Sequence, residues 1–287
     1  MASSFRVDVG GIALAVADHA PGRADLPALV CAHATGFCGA VWQPIAEAFR
    51  DRFRVIAFDE RGHGDSDKPA DAYAWSDFVR DLAGLLDALA LRDVVAVGHS
   101  MGGAAVAGVA ADFPGRIGRA ILLDPVLVPR LDAAAAAARA QNPLAEGARR
   151  RRRLWSSREE MLASFAARPP FADWQPSALV AYVEHGTRDL PDGRVELKCP
   201  PEIEATIYEQ GARSATLEYL PRVSVPALLV TGGASPTLPP DLARHAAALL
   251  PDGRLEMLPG VGHFVPMQAP DAVVALVRSF LDERGVP

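Results

Sequence analysis

Two short motifs place a serine and a histidine at the ends of apolar runs. Gly98-His99-Ser100-Met101-Gly102 follows Val94–Val97 and opens a small-residue segment, Met101 to Phe113, which stops at Pro114. A serine in a Gly-x-Ser-x-Gly turn between a strand and a helix is set up for nucleophilic attack. Such a tight turn strains the serine backbone, and bulk at Gly98 or Gly102 would meet neighbouring chain. The turn lifts the hydroxyl above the sheet edge and aims the helix N-terminus, with the N–H of Met101, at the reaction centre. The hydroxyl needs a base. Of seven histidines, at 19, 33, 63, 99, 185, 245 and 263, the candidate is His263 in Pro259-Gly260-Val261-Gly262-His263-Phe264. This loop lies between the last strand and the last helix, and carboxyl ends of parallel strands share one edge, so it can reach Ser100. A neutral imidazole takes the serine proton during attack and returns it to the leaving group.

The elements that must position these residues follow from periodicity. Phe5–Val9 and Ile12–Ala17 alternate around Gly10-Gly11 and predict a β-hairpin. Ala28–His33, Phe53–Phe58, Val94–Val97, Ala120–Leu123, Ala227–Val230 and Leu255–Leu258 read as strands. Phe78, Leu82, Leu85, Leu86 and Leu89 recur at helical spacing, which predicts a helix over 76–91, with further helices at 240–250 and 270–282. Alternating strands and helices imply an α/β fold with a mostly parallel sheet covered on both faces. The stretch 125–225 breaks the rhythm. It is rich in Ala, Arg, Pro and Trp, shows no strand signal, and suggests helices after Asp132, over Ser157–Ala167 and over Ser177–His185. It is expected to be a helical subdomain inserted into a core made of 1–124 and 226–287.

The 287 residues are 50% hydrophobic and 22% charged, with a net charge of −6, so a large core is affordable and a disordered chain is excluded. The acidic balance argues against a nucleic-acid partner. No run of 18 apolar residues predicts a membrane span, and no apolar segment follows the N-terminus as a secretory signal would require. Three cysteines (Cys31, Cys38, Cys199) make no disulfide framework and suit a cytoplasmic location. Neither a Cys/His cluster for a metal nor a nucleotide-binding glycine pattern is present, so no cofactor is expected.

In order along the chain stand His33-Ala34-Thr35-Gly36-Phe37, Asp59-Glu60-Arg61-Gly62-His63-Gly64-Asp65-Ser66, Gly98-His99-Ser100-Met101-Gly102-Gly103 and Gly260-Val261-Gly262-His263-Phe264. Together they resemble an α/β-hydrolase-fold enzyme, over nearly the whole chain except the insert. The resemblance implies that the insert is a helical cap over an active site. It also implies that the loop after the third strand supplies a second oxyanion N–H. That donor would be Thr35, with Gly36 the neighbouring alternative; this chain has His-Ala-Thr where the family usually has His-Gly-x. His33, Arg61 and His63 read as loop braces. The acid departs from the family's commonest pattern. After the seventh strand, Thr231-Gly232-Gly233-Ala234-Ser235-Pro236 holds no carboxylate, and Ser235 stands about where an Asp is expected. Some family members carry the acid at the end of strand six instead, where this chain has Asp124; Asp241 is the alternative.

Phe37, His99, Trp155 and Trp174 are candidate pocket residues for an apolar substrate. Arg149–Arg153 reads first as a solvated helix face, or else as an anion patch or a contact in a homo-oligomer. The reading as a whole is a cofactor-independent serine hydrolase acting on a small-molecule ester or lactone. C–C bond hydrolysis or perhydrolysis would use the same residues, and a non-catalytic ligand receptor is the alternative of another class.

Overall fold

In the computed structural model, residues 2–140 and 143–286 are described. Among them, the first half runs β1 (Ser3–Asp8), β2 (Ala13–Asp18), β3 (Ala28–Ala32), α1 (Gln43–Phe49), β4 (Arg54–Phe58), α2 (Trp75–Ala88), β5 (Val94–His99), α3 (Met101–Asp112) and β6 (Ile117–Leu123). The intervening segment carries α4 (Ala133–Ala140), α5 (Pro143–Arg149), β7 (Leu154–Trp155), α6 (Arg158–Ala166), α7 (Pro176–His185), β8 (Thr187–Asp189), β9 (Val195–Leu197) and α8 (Pro201–Gly211). A 3-10 turn, Thr216–Arg222, leads to β10 (Ala227–Gly232), α9 (Pro240–Leu249), β11 (Gly253–Leu258), α10 (Val265–Gln268) and α11 (Pro270–Glu283).

Eight strands form one sheet in the order β1-β2-β4-β3-β5-β6-β10-β11. β1, β2 and β4 pair antiparallel and every other pairing is parallel. Alternation along the strands distributes side chains between two cores. Val30 of β3, Ala96 of β5 and Leu229 of β10 face a core with α2 and α3. Their neighbours Cys31, Val97 and Leu228 face a second core with α1 and α11. Burial on both faces explains why these strands read as unbroken apolar runs. The hairpin turn carries Gly10 and Gly11 at φ +88° and +91°, which only glycine adopts without strain.

The insertion departs from the all-helical expectation. β7, β9 and β8 form a three-stranded antiparallel sheet, pairing Trp155 with Val195 and Thr187 with Leu197. Strands of two or three residues are too short to show a period; β8 and β9 pair across a local turn, and β7 joins β9 from far along the chain. Its ends are tied together: Val128 N–H donates to Thr216 Oγ1 (2.8 Å) and Leu217 N–H to the Val128 carbonyl (3.0 Å). Leu217, Tyr219 and Leu220 pack with the core's first cluster, so the last part of the segment leans on α3. From this stem the insertion crosses the carboxyl ends of the parallel strands. Lys198 pairs with Asp65 (2.6 Å), and Gln175 N–H donates to the Met267 carbonyl (2.8 Å). Among the described residues, no helix is long and apolar enough to cross a membrane.

Candidate active site

β5 runs straight into Ser100, whose backbone sits at φ +56° and ψ −115°. A non-glycine residue there stores about 1–3 kcal/mol and persists only where the surroundings enforce it. The enforcement is visible. Ser100 N–H donates to the Leu123 carbonyl (3.1 Å), and the Ser100 carbonyl accepts from Val126 and Ala104 (3.2 and 3.1 Å). A Cβ on Gly98 would stand 2.3 Å from the Gly102 carbonyl oxygen, and one on Gly102 would stand 2.3 Å from that of Ala32. The elbow glycines are therefore required by backbone contact with α3 and β3.

Asp124 follows β6 and is also held at positive φ, +44°. Its N–H donates to the Val230 carbonyl (2.7 Å), which points the fully buried carboxylate along the sheet edge. Oδ2 accepts from the Thr231 hydroxyl (2.7 Å) and Gly232 N–H (3.0 Å). Oδ1 accepts from the Ser235 hydroxyl (2.8 Å) and from Nδ1 of His263 (2.8 Å). With Nδ1 donating, Nε2 of His263 is free to accept, and it lies 3.0 Å from Ser100 Oγ. Ser100, His263 and Asp124 thus form one hydrogen-bonded line across three loops. Asp241, the alternative acid, is fully exposed and pairs with Arg244 in the first turn of α9.

The sequence profile of the alpha/beta hydrolase family matches residues 29–276. The chain belongs to this family. It is 29% identical over 282 residues to 2-(acetamidomethylene)succinate hydrolase of Mesorhizobium japonicum, spanning 97% of this chain and 95% of that one. It is 30% identical over 222 residues to 3-oxoadipate enol-lactonase 2 of Acinetobacter baylyi, covering 75% of this chain and 74% of that enzyme. Among solved structures, the crystal structure of E-2-(acetamidomethylene)succinate hydrolase matches 98% of this chain and 100% of its own, with a TM-score of 0.84 and 28% identity. A malate-bound thermophilic esterase from Thermogutta terrifontis matches 99% of this chain and 98% of its own, with a TM-score of 0.71 and 27% identity. The relatives are hydrolases, in keeping with the family.

In this α/β hydrolase the loop after β3 is braced against the loop after β4 by two histidines that mirror each other. His33 accepts Glu60 N–H at Nε2 (2.9 Å) and donates from Nδ1 to the Ala34 carbonyl (2.8 Å). His63 accepts Gly36 N–H at Nε2 (2.9 Å) and donates from Nδ1 to the Arg61 carbonyl (2.9 Å). Both rings are fully buried, and burial lowers both pKa values, so each stays neutral as its acceptor nitrogen requires. Since Gly36 N–H is taken by His63, it is not open to a substrate. Among the described residues, the N–H groups of Thr35 and Met101 have no partner. Arg61 grips Asp81 with two nitrogens (2.6 and 2.5 Å) and stays within the core.

The four candidate pocket residues separate. Phe37 touches Phe171, Trp174, Tyr182 and Phe264, and Trp174 reaches Phe264, which adjoins His263. Trp155 is different: its indole packs on Phe165 (5.5 Å) and under Arg152 (4.1 Å), inside the insertion. His99 also departs from the pocket expectation. It is fully buried and donates from Nε2 to the His263 carbonyl (2.9 Å), so it supports the histidine loop from beneath. Burial lowers its pKa well below the ordinary value, so the ring is neutral.

The arginine run is exposed except at Arg151, as a solvated face would be, and four of its five members, all but Arg150, end on carboxylates. Arg149 pairs with Glu146 and Glu209, Arg151 with Glu204, Arg152 with Glu160 and Arg153 with Glu196. Sequence reasoning missed Thr231, Gly232 and Gln268, which receive no signal from periodicity. Gln268 accepts Gly262 N–H (2.8 Å) and steadies the turn before His263. A Cβ on Gly232 would stand 2.2 Å from the Gly262 carbonyl oxygen, so β10 and the histidine loop approach only because Gly232 has no side chain.

Proposed function

We propose that this protein is a serine hydrolase that cleaves a carboxylic ester or lactone through an acyl-enzyme, with the insertion acting as a cap. The observation that carries the reading is the line from Ser100 Oγ through His263 to Asp124, at 3.0 and 2.8 Å. Ser100 Oγ attacks the carbonyl carbon while Nε2 of His263 takes its proton. Asp124 holds the tautomer and stabilises the imidazolium that forms. The N–H groups of Met101 and Thr35 receive the negative charge on the carbonyl oxygen. Collapse breaks the acyl–oxygen bond, and His263 protonates the departing alkoxide. Water then gives its proton to His263, attacks the acyl group, and releases the acid with Ser100 restored.

The enol-lactonase and esterase relatives support an oxygen-ester substrate. Phe37, Trp174 and Phe264 next to His263 favour an apolar group on it. No cofactor enters the mechanism, because every proton is moved by His263. The test is a panel of p-nitrophenyl esters and small lactones together with fluorophosphonate labelling. The native enzyme should turn over at least one class and label at Ser100. Ser100→Ala should lose the label and, on the scale of serine proteases, about 10⁶ in kcat while remaining folded. Near-native turnover by that variant would overturn the reading.

A further inference from the structure

Gly36 is gripped from two sides. Its N–H is held by His63 of the core (2.9 Å), and its carbonyl accepts the phenol of Tyr182 from α7 of the insertion (3.0 Å). These groups belong to the two peptide units that follow Thr35, so the backbone of Thr35 is anchored on its C-terminal side. The direction of the Tyr182 proton is also determined. Nη2 of Arg151 lies 2.7 Å from the phenol oxygen, and a guanidinium has only donors. The phenol must accept there, which leaves its single proton for the Gly36 carbonyl. Burial pushes the phenol up to about 12, so this proton stays in place around neutral pH.

The other terminal nitrogen of Arg151 is bound by Glu204, and the two side chains are only 19% and 6% exposed. This pair lies directly against the loop. Gly36 has φ +86°, and a Cβ there would stand 2.7 Å from Glu204 Oε1 and 3.1 Å from Arg151 Nη1. The Tyr182 ring also meets Phe37, the next residue, at 5.2 Å. By contrast, the side-chain hydrogen bonds that join Ser100, His263 and Asp124, and those that hold the Asp124 carboxylate, come from core residues alone.

The geometry points to Tyr182 as a positioning residue for the oxyanion loop. Seating α7 on the core, through a hydroxyl oriented by Arg151 and Glu204, sets the Thr35 N–H that receives the developing charge. The inference rests on the serine-hydrolase reading and extends it: the insertion governs the rate of the chemical step as well as the choice of substrate.

Tyr182→Phe keeps the ring and removes the hydroxyl. Direct loss of an oxyanion donor costs about 10²–10³ in rate, so loss of the group that aligns one should lower kcat about tenfold, with KM within about twofold. Affinity for an alkyl trifluoromethyl ketone, whose adduct with Ser100 carries the oxyanion, should fall by the same factor. Arg151→Gln with Glu204→Gln neutralises the buried pair without stranding a charge. It should reproduce part of the loss and add little to Tyr182→Phe, because the residues act through one bond. It also carries the test if Tyr182→Phe does not fold. Native kcat and native ketone affinity in Tyr182→Phe overturn the inference. So does a loss confined to KM, which would make the phenol a substrate contact. If the native protein fails to label with fluorophosphonate at Ser100, the serine reading falls and this inference with it. If it labels and Tyr182→Phe labels as fast, only this inference falls.

Discussion

The edge of the core and the arginine-rich insertion both concentrate reactive residue types, yet they use them in opposite ways. At the edge, Asp124 receives four donors, and one of them, His263, passes the connection on to Ser100 Oγ. In the insertion, Arg149, Arg151, Arg152 and Arg153 each end on a carboxylate, and these pairs hold elements in place, Arg151 passing its contact on to the Tyr182 phenol. A charge run is therefore no guide to chemistry until its partners are located. The edge has a chain of hydrogen bonds that ends on Ser100 Oγ; the insertion has ion pairs that tie α5, α6, α8 and β9 together.

Breaking the chain at its acid should have the largest effect. Asp124→Asn keeps the shape but removes the charge that holds the His263 tautomer, and should lower kcat by about 10⁴, as the equivalent change does in serine proteases. Ser235→Ala removes one of the donors on the same oxygen, and a hydrogen bond to a charged group, worth about 1.5–3 kcal/mol, translates into roughly a 10- to 100-fold loss. Steady-state kinetics on one ester separates the two. Equal losses would mean that Ser235 is as essential as the acid it touches.

The histidine braces provide a test that reads stability. Burial lowers the folded pKa of His33 and His63 below the ordinary 6.5. Above that pH neither folded nor unfolded chain binds the protons, so nothing is lost. Below it the unfolded chain takes up protons that the folded state refuses, and stability falls as pH drops toward the folded pKa. The slope is up to about 1.4 kcal/mol per pH unit for each ring. Glu60 works in the opposite direction, since burial raises its pKa well above 4.5. A difference measurement cancels it: His63→Gln, with an amide oxygen to accept Gly36 N–H, should flatten the slope of unfolding free energy between pH 5 and 6.5 by about one proton. An unchanged slope in urea titrations would show that His63 is not held neutral.

The smallest effect belongs to the insertion. Arg152 is half exposed, pairs with Glu160 (2.6 Å) and covers Trp155. Arg152→Gln should cost no more than about 1 kcal/mol of stability, and less in high salt, with kcat/KM unchanged within about twofold. A large loss of activity would move this arginine from structural pairing to substrate contact.

Local motifs made much of the fold and of the site legible. The parallel strands followed from unbroken apolar runs. Ser100 followed from glycines that a tight backbone approach demands, and a Cβ on Gly98 or Gly102 would stand 2.3 Å from a backbone carbonyl oxygen; His263 followed from its loop after the last strand. Asp124 is implied by the family resemblance, as the alternative seat at the end of strand six when the usual one holds Ser235, and the two seats turn out to be hydrogen-bonded neighbours.

The amino-acid sequence by itself determined which elements form and which residues stand at their carboxyl ends, because strand burial and turn geometry are encoded within a few neighbouring positions. The tertiary structure alone decided the rest. The docking of β7 on β9, the pairing of Arg149, Arg151 and Arg153 with Glu209, Glu204 and Glu196, and the supporting roles of His99 and Thr231 all depend on partners far away in the chain. So does the contact of Tyr182 with Gly36, 146 positions apart. A hydrogen bond or ion pair requires a partner within about 3–4 Å, and for these groups only the packed chain brings one that close.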